Sequence, residues 1–140
     1  MISQTAEYAL RAMVYLAENT GQALPVPRIA EATQVPAGYL SKVLQSLARA
    51  GLVSSQRGLK GGFQLQRRAE ELSLLDILAA VSPVERINAC PLGLPHHEGR
   101  LCALHQRLDE AIAHFEGNCR DTSLADLLRA RGEPTFPVAD

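Results

Sequence analysis

What this sequence lacks removes several classes of protein at once. The 140-residue chain has no apolar run of about 18 residues, the length a membrane-crossing helix needs. Its opening residues, Met1 to Glu7, carry no basic cluster and lead into an amphipathic stretch rather than an apolar signal segment, so a cytoplasmic location is expected. Cysteine is scarce: there are three, an odd number, and no Cys-x-x-Cys. In a reducing compartment that argues against structural disulfides and raises metal binding or redox chemistry instead. No glycine-rich phosphate loop follows a strand, and no serine or cysteine stands in a recognisable nucleophile motif, so neither catalysis nor a small-molecule substrate is expected. Internal repeats and low-complexity tracts are absent as well.

What is present reads as one domain, or one small domain with an appended helix, with 46% apolar residues to build a core. The net charge is −1, but it is unevenly spread. From residue 26 to residue 68 stand Arg28, Lys42, Arg49, Arg57, Lys60, Arg67 and Arg68, opposed only by Glu31. That segment carries +6 and leaves −7 for the rest, the pattern expected of a phosphate-contacting face.

Ser3 is placed to cap a first helix whose apolar stripe is Tyr8, Leu10, Met13, Val14, Leu16 and Ala17, ended by Asn19-Thr20-Gly21. Residues 26–33 read as a short helix with Pro27 in its first turn. Residues 37–50 read as a longer helix, with Leu40, Val43, Leu44 and Leu47 inward and Gly51 past its end. Two strands, 52–57 and 63–67, form a hairpin around Gly58-Leu59-Lys60-Gly61-Gly62. Ser73 caps a helix over 74–81, stopped by Pro83. Prolines and glycines make residues 84–100 a long loop. A helix is expected over 101–115, with Leu101, Leu104, Leu108, Ile112 and Phe115 on one side. Thr122 is expected to cap a last helix over 124–130, and the tail after Gly132 to fray.

Helix, short helix, turn, longer helix and hairpin together make a winged helix-turn-helix. The expected fold is therefore mainly α with a small β-hairpin wing, plus a long C-terminal helix whose apolar side suits dimerisation. Its parts are a DNA-binding domain over 1–82, a sensor loop over 83–100, the dimerisation and C-terminal helices over 101–132, and a flexible tail over 133–140. The 37–50 helix would enter the major groove of double-stranded DNA. Its outward residues are Ala37, Gly38, Tyr39, Ser41, Lys42, Gln45 and Arg49, with Tyr39, Ser41 and Lys42 the foremost contacts. Arg28, Arg57, Lys60 and Gly61 complete the expected interface, with Arg57 long enough to enter a minor groove.

Soft ligands are concentrated in one place. Cys90, Cys102 and His105 form a Cys-x11-Cys-x2-His set, with His96 and His97 midway. Thiolates and imidazoles suit iron–sulfur clusters, zinc and copper. Cys119 lies seventeen residues beyond Cys102, roughly 25 Å along a continuous helix, too far to join them. His114 is expected at the surface or at a dimer interface.

The stretches "EYALRAMVYLA", "YLSKVLQSLARAGLVSSQRGLKGGFQL" and "LSLLDILAAV" resemble the winged-helix regulators of the Rrf-two family (the IscR-, NsrR- and RirA-like proteins). The resemblance covers residues 1 to about 130 and implies homodimers on palindromic operators, with the long C-terminal helix crossing its partner's. It also implies an iron–sulfur cluster in many members, held by Cys-x5-Cys-x5-Cys. This chain departs from that pattern, because His96 stands at the middle position. His105 matches a ligand of IscR-like members, and Glu7 falls where NsrR-like members place a carboxylate that caps the partner's cluster. The resemblance thus implies a repressor whose operator affinity is controlled by a [2Fe–2S] centre on Cys90 and Cys102, completed from His105, Glu7 and His96. Zinc, or no metal and sensing through thiols or a protein partner, are the alternatives.

Overall fold

Small side chains on one long helix set the architecture. Helix α1 (Gln4–Glu18) begins where the Ser3 hydroxyl accepts the Ala6 N–H at 3.1 Å, with Glu7 in its first turn. Ala6, Ala9 and Ala12 are buried along it, beside Met13, Tyr15, Leu16 and Ala17. Alanines let neighbouring axes approach closely, because interaxial distance is set by the side chains at the contact. The protein, described over residues 2–137 by a computed structural model, packs most of its other helices around α1.

Helix α2 (Val26–Thr33) carries Pro27 in its first turn and ends at Gln34, a left-handed residue with φ 56°. Helix α3 (Ala37–Arg49) buries Leu40, Val43, Leu44 and Leu47 against α1 and α2. The chain then forms the antiparallel pair β1 (Val53–Gln56) and β2 (Gly62–Leu65), in register Val53↔Leu65 to Gln56↔Gly62. A pairing the sequence reading did not anticipate extends this wing. Leu24 and Phe63 exchange backbone hydrogen bonds of 2.9 and 2.8 Å, fastening the hairpin to the segment before α2. Gly62 is required there: at φ 147°, a Cβ would lie 2.1 Å from the Leu24 carbonyl oxygen.

Helix α4 (Leu74–Val81) opens with a reciprocal cap, Ser73 accepting from the Asp76 amide and the Asp76 carboxylate from the Ser73 amide. It packs on α1 and places Ile77 and Leu78 in the interior. The loop that follows contains one 3-10 turn over Pro95–His97. Helix α5 spans Ala103–Asp121, and helix α6 spans Leu124–Arg131.

Three local expectations are corrected. Helix α5 starts two residues later than expected and runs through Gly117 and Asn118 to Asp121, so Phe115 is not near its end. The cap of α6 is Ser123, not Thr122: Ser123 pairs reciprocally with Asp126, while the Thr122 hydroxyl turns back to the Asn118 carbonyl. The first part of the tail does not fray. The amides of Thr135 and Phe136 donate to the Glu18 carboxylate, and the Phe136 ring packs edge-on against Tyr15 at 6.0 Å. An aromatic ring and two satisfied amides offset the ordering cost there. Residues 138–140, also expected in the tail, lie outside the described residues.

Candidate metal centre and nucleic-acid interface

The basic segment divides once its side chains are placed. Lys42, Gln45 and Arg49 stand exposed on α3, with Ala37 and Gly38 open at its N-terminal end. Tyr39 is only 40% exposed, because its hydroxyl pairs with Thr5 at 2.6 Å and its ring meets Tyr8 edge-on at 5.3 Å. Ser41 is half-buried and donates its hydroxyl to the Ala37 carbonyl, an ordinary bond for a serine within a helix. Arg28 is half-buried in the first turn of α2. Arg67 donates to the Glu71 carbonyl and Arg68 pairs with the Glu71 carboxylate, so both point to the turn after the wing.

At the wing tip Arg57, Leu59 and Lys60 are exposed. The Gly61 amide closes the turn on the Gly58 carbonyl at 2.9 Å, and a Cβ at Gly61 would lie 2.5 Å from the Gln56 oxygen. Gly61 is thus a steric requirement of the tip. Exposed basic side chains thus stand on α3 (Lys42, Arg49) and at the wing tip (Arg57, Lys60), the two elements with which a winged helix reads a groove.

The soft ligands gather at the start of α5. Cys102 is the residue before its first turn, and His105 follows one turn in. Their Sγ and Nδ1 atoms are 3.0 Å apart. The preceding loop brings Cys90 to the same point, 3.7 Å from His105 Nδ1. The ligand atoms of Cys90, Cys102 and His105 all lie within 4.8 Å of one another. One ion pair holds the loop there: Arg86 makes two hydrogen bonds of 2.7 and 2.6 Å to Asp109 on α5, which also accepts the Ile87 amide at 2.9 Å. Those donors hold the Asp109 carboxyl at about 2, against burial that opposes ionisation.

Burial raises the Cys90 thiol, but the N–H groups of Leu92 and Cys102 and the Cys102 side chain outweigh it, and the thiol lies below its ordinary value. His97 is held below its ordinary value by burial and by the nearby His96, Arg100 and His105. Two thiols, one of them eased toward thiolate, and an imidazole within ligand distance fit a soft or borderline metal.

The structure does not bring His96 to this group. His96 is exposed and its ring stacks edge-on against His97 at 4.1 Å, while His97 Nδ1 lies 3.2 Å from Cys90 Sγ. The 3-10 turn explains the difference, since adjacent residues in it point in different directions. Glu7 is also elsewhere within the protomer: it pairs with Arg11 at 2.9 Å on α1, beside the tail and α6. Cys119 is 6% exposed among Ala6, Leu78 and Phe115, where burial raises its thiol. His114 lies at the surface, hydrogen-bonded to the Glu110 carbonyl. The sequence signal for His97 was its adjacency to His96, and spacing alone could not choose between them.

A winged helix-turn-helix carrying a cysteine/histidine corner at the foot of a long helix defines a class of transcription regulator. The chain belongs to the Rrf2 family: residues 2–130 match the sequence model described as an iron-dependent transcriptional regulator. It is similar over 99% of its length to a protein of Aquifex aeolicus named provisionally as an HTH-type transcriptional regulator, 29% identical over 99% of that protein. It is 32% identical to protein aau3 of Rhizobium meliloti, covering 96% of this chain and 89% of that one. Among solved structures, CymR of Staphylococcus aureus matches at TM-score 0.74 and 30% identity, over 91% of this chain and 97% of that one. IscR of T. potens shares the fold at TM-score 0.78, 23% identity and 99% and 93% coverage. Among the described residues, no helix is long and apolar enough to cross a membrane.

Proposed function

We propose that this regulator is a repressor whose affinity for a palindromic operator is set by an iron–sulfur centre at Cys90, Cys102 and His105. The observation that carries the reading is the convergence of those three donors within 4.8 Å, at the junction of the loop and α5. A bound cluster would supply redox and nitric-oxide sensitivity, with mixed thiolate and non-thiolate ligation raising its potential. Holding Cys90 to Cys102 and His105 ties the loop after α4 to the foot of α5. Releasing them frees that loop and shifts the population between DNA-competent and incompetent forms.

Leu104 and Leu108, 62% and 47% exposed on α5, suit the face of a homodimer in which this helix crosses its copy. In such a dimer Glu7 of one protomer would be available to the other's centre. Lys42, Arg57 and Lys60 contact phosphates and groove edges, with Gly61 allowing close approach and Arg28 flanking them; Tyr39 and Ser41 act mainly by shaping the α3 start.

The test is operator binding by anaerobically purified protein, before and after oxygen and nitric oxide, on a duplex recovered by selection from a random pool. The wild type is expected to be brown and to change affinity with treatment, and Cys90→Ala to be colourless and insensitive. Unchanged wild-type affinity under all three conditions would overturn the coupling. A second reading, thiol oxidation without a metal, is favoured by the closeness of the Cys90 and Cys102 sulfurs and the lowered Cys90 thiol. The Staphylococcus aureus CymR structure has a counterpart of its oxidized form, 31% identical to this chain. A colourless, iron-free wild type that still responds to oxidant would establish this second reading.

A further inference from the structure

We infer that His97 is the fourth ligand of the centre, so that Cys90, His97, Cys102 and His105 form a Cys2His2 set drawn wholly from one protomer. The inference rests on reading this corner as a metal site. It concerns a residue outside the three-donor group and replaces both His96 and the partner's Glu7.

Three distances carry it. Cys90 Sγ lies 3.2 Å from His97 Nδ1 and 3.7 Å from His105 Nδ1, and Cys102 Sγ lies 3.0 Å from His105 Nδ1. With metal–sulfur and metal–nitrogen bonds of about 2.3 and 2.1 Å, a thiolate and an imidazole on one tetrahedral ion stand about 3.5 Å apart. The observed separations bracket that value. They also set Cys90 Sγ beside two imidazoles, each presenting Nδ1.

His97 is suited to close the set. It lines both the hollow that contains Cys90 and the one that contains Cys102. His96 lines only the second hollow and lies exposed behind the His97 ring. Bringing His97 onto a shared ion requires movement only of the loop, which carries no buried residue between Pro83 and Cys102. No second chain is needed. On a single ion the set is that of a closed four-coordinate site. On a [2Fe–2S] cluster it is the two-thiolate, two-imidazole composition associated with raised potential.

The test is anaerobic titration of the metal-free full-length chain with cobalt(II) alone, followed by visible absorption. The expected wild-type result is one cobalt per chain, with the strong d–d bands of four-coordinate cobalt and thiolate charge transfer. His97→Ala is expected to weaken binding at least about tenfold and to lose the four-coordinate bands, taking outer-sphere losses as the lower bound for a ligand. His97→Cys is expected to restore four-coordination with stronger thiolate charge transfer, which a merely structural role for His97 would not produce. His96→Ala is expected to retain the wild-type spectrum. Equal spectra and affinities for wild type and His97→Ala would overturn the inference, as would loss on His96→Ala instead. If the wild type binds no cobalt yet takes up iron and sulfide, pulsed EPR of the reduced cluster decides. Two nitrogen couplings, one of them lost in His97→Ala, support the set. One coupling in the wild type overturns it and leaves the cluster reading of the function standing. Failure of operator response with His97 confirmed as a ligand would instead overturn the function and leave the site.

Discussion

From α3 to β2 the chain is fastened from both sides. Leu40, Val43, Leu44, Leu47, Leu52 and Val53 are all buried, and the Leu24–Phe63 bridge pins the wing from outside the hairpin. From Pro83 to Cys102 no residue is buried; Val84 packs partly on the Ala6, Leu78 and Cys119 cluster, and the Arg86–Asp109 clamp and the Cys90–His105 contact tie the segment to α5. The proposed function asks different things of the two. A groove-reading unit would present Lys42 and Arg57 in a fixed relation, which core packing supplies. A sensing corner would change when its ligands are released, which a segment without buried residues allows. The contrast explains why the strongest apolar packing lies far from the chemistry.

That comparison can be broken by mutation. Leu44→Ala removes a fully buried side chain and is expected to cost about 2–5 kcal/mol, read as a lowered denaturant midpoint. Cys102→Ser, on the loosely held side, is expected to change metal-free stability by no more than about 0.5 kcal/mol. Comparable losses in the two variants would erase the distinction. Next in size is Arg57→Ala, expected to weaken DNA binding and to reduce the salt-dependence slope by about 1, with thermal stability unchanged. A drop in melting temperature, or dissociation of the oligomer, would mean that Arg57 serves the fold instead of the DNA.

Ser73→Ala removes one half of the α4 cap and is expected to cost about 1 kcal/mol, measured by equilibrium unfolding. Ser123→Ala should behave alike at α6, whereas Thr122→Ala should have the smaller effect, since Thr122 is not the cap. The smallest effect concerns the clamp. Asp109 titrates at about 2, below the ordinary value of about 3.9. Its folded-state value is depressed, so its contribution is fully present above pH 4 and is lost as pH falls through about 2. The Ile87 amide shift, followed by NMR, is expected to titrate with that low midpoint, and Arg86→Gln to move the midpoint upward. A wild-type midpoint near about 4 would show that the clamp does not hold the loop in solution.

Much of the reading head was legible because its signals are local. Ser3 and Ser73 announce helix starts through side-chain-to-amide bonds three residues away, and the α3 stripe follows the helical period. The hairpin follows from the glycine-rich turn, but its register does not: Gly62, expected in the turn, pairs with Gln56 as the first residue of β2. At the corner, Cys90, Cys102 and His105 were legible as types and spacings. His97 was not, because choosing between adjacent histidines depends on how a 3-10 turn aims each ring. The length of α5 was misread for a related reason. Gly117 and Asn118 are weak helix formers, but they directly precede Cys119, which packs into the interior with Ala6, Leu78 and Phe115, and tertiary burial overrides propensity.

The sequence by itself determined the order of elements, the caps of α1 and α4, the inward faces and the basic segment, since each depends on neighbours within about one helical turn or one hairpin. Only the tertiary structure decided which polar groups are available. It docked Tyr39 on Thr5 and Tyr8, turned Arg67 and Arg68 to the Glu71 turn and fastened Phe136 to Tyr15. It also set His97, not His96, beside Cys90. These are contacts between residues whose meeting depends on how helices pack or how a loop turns, and no local period or propensity encodes them.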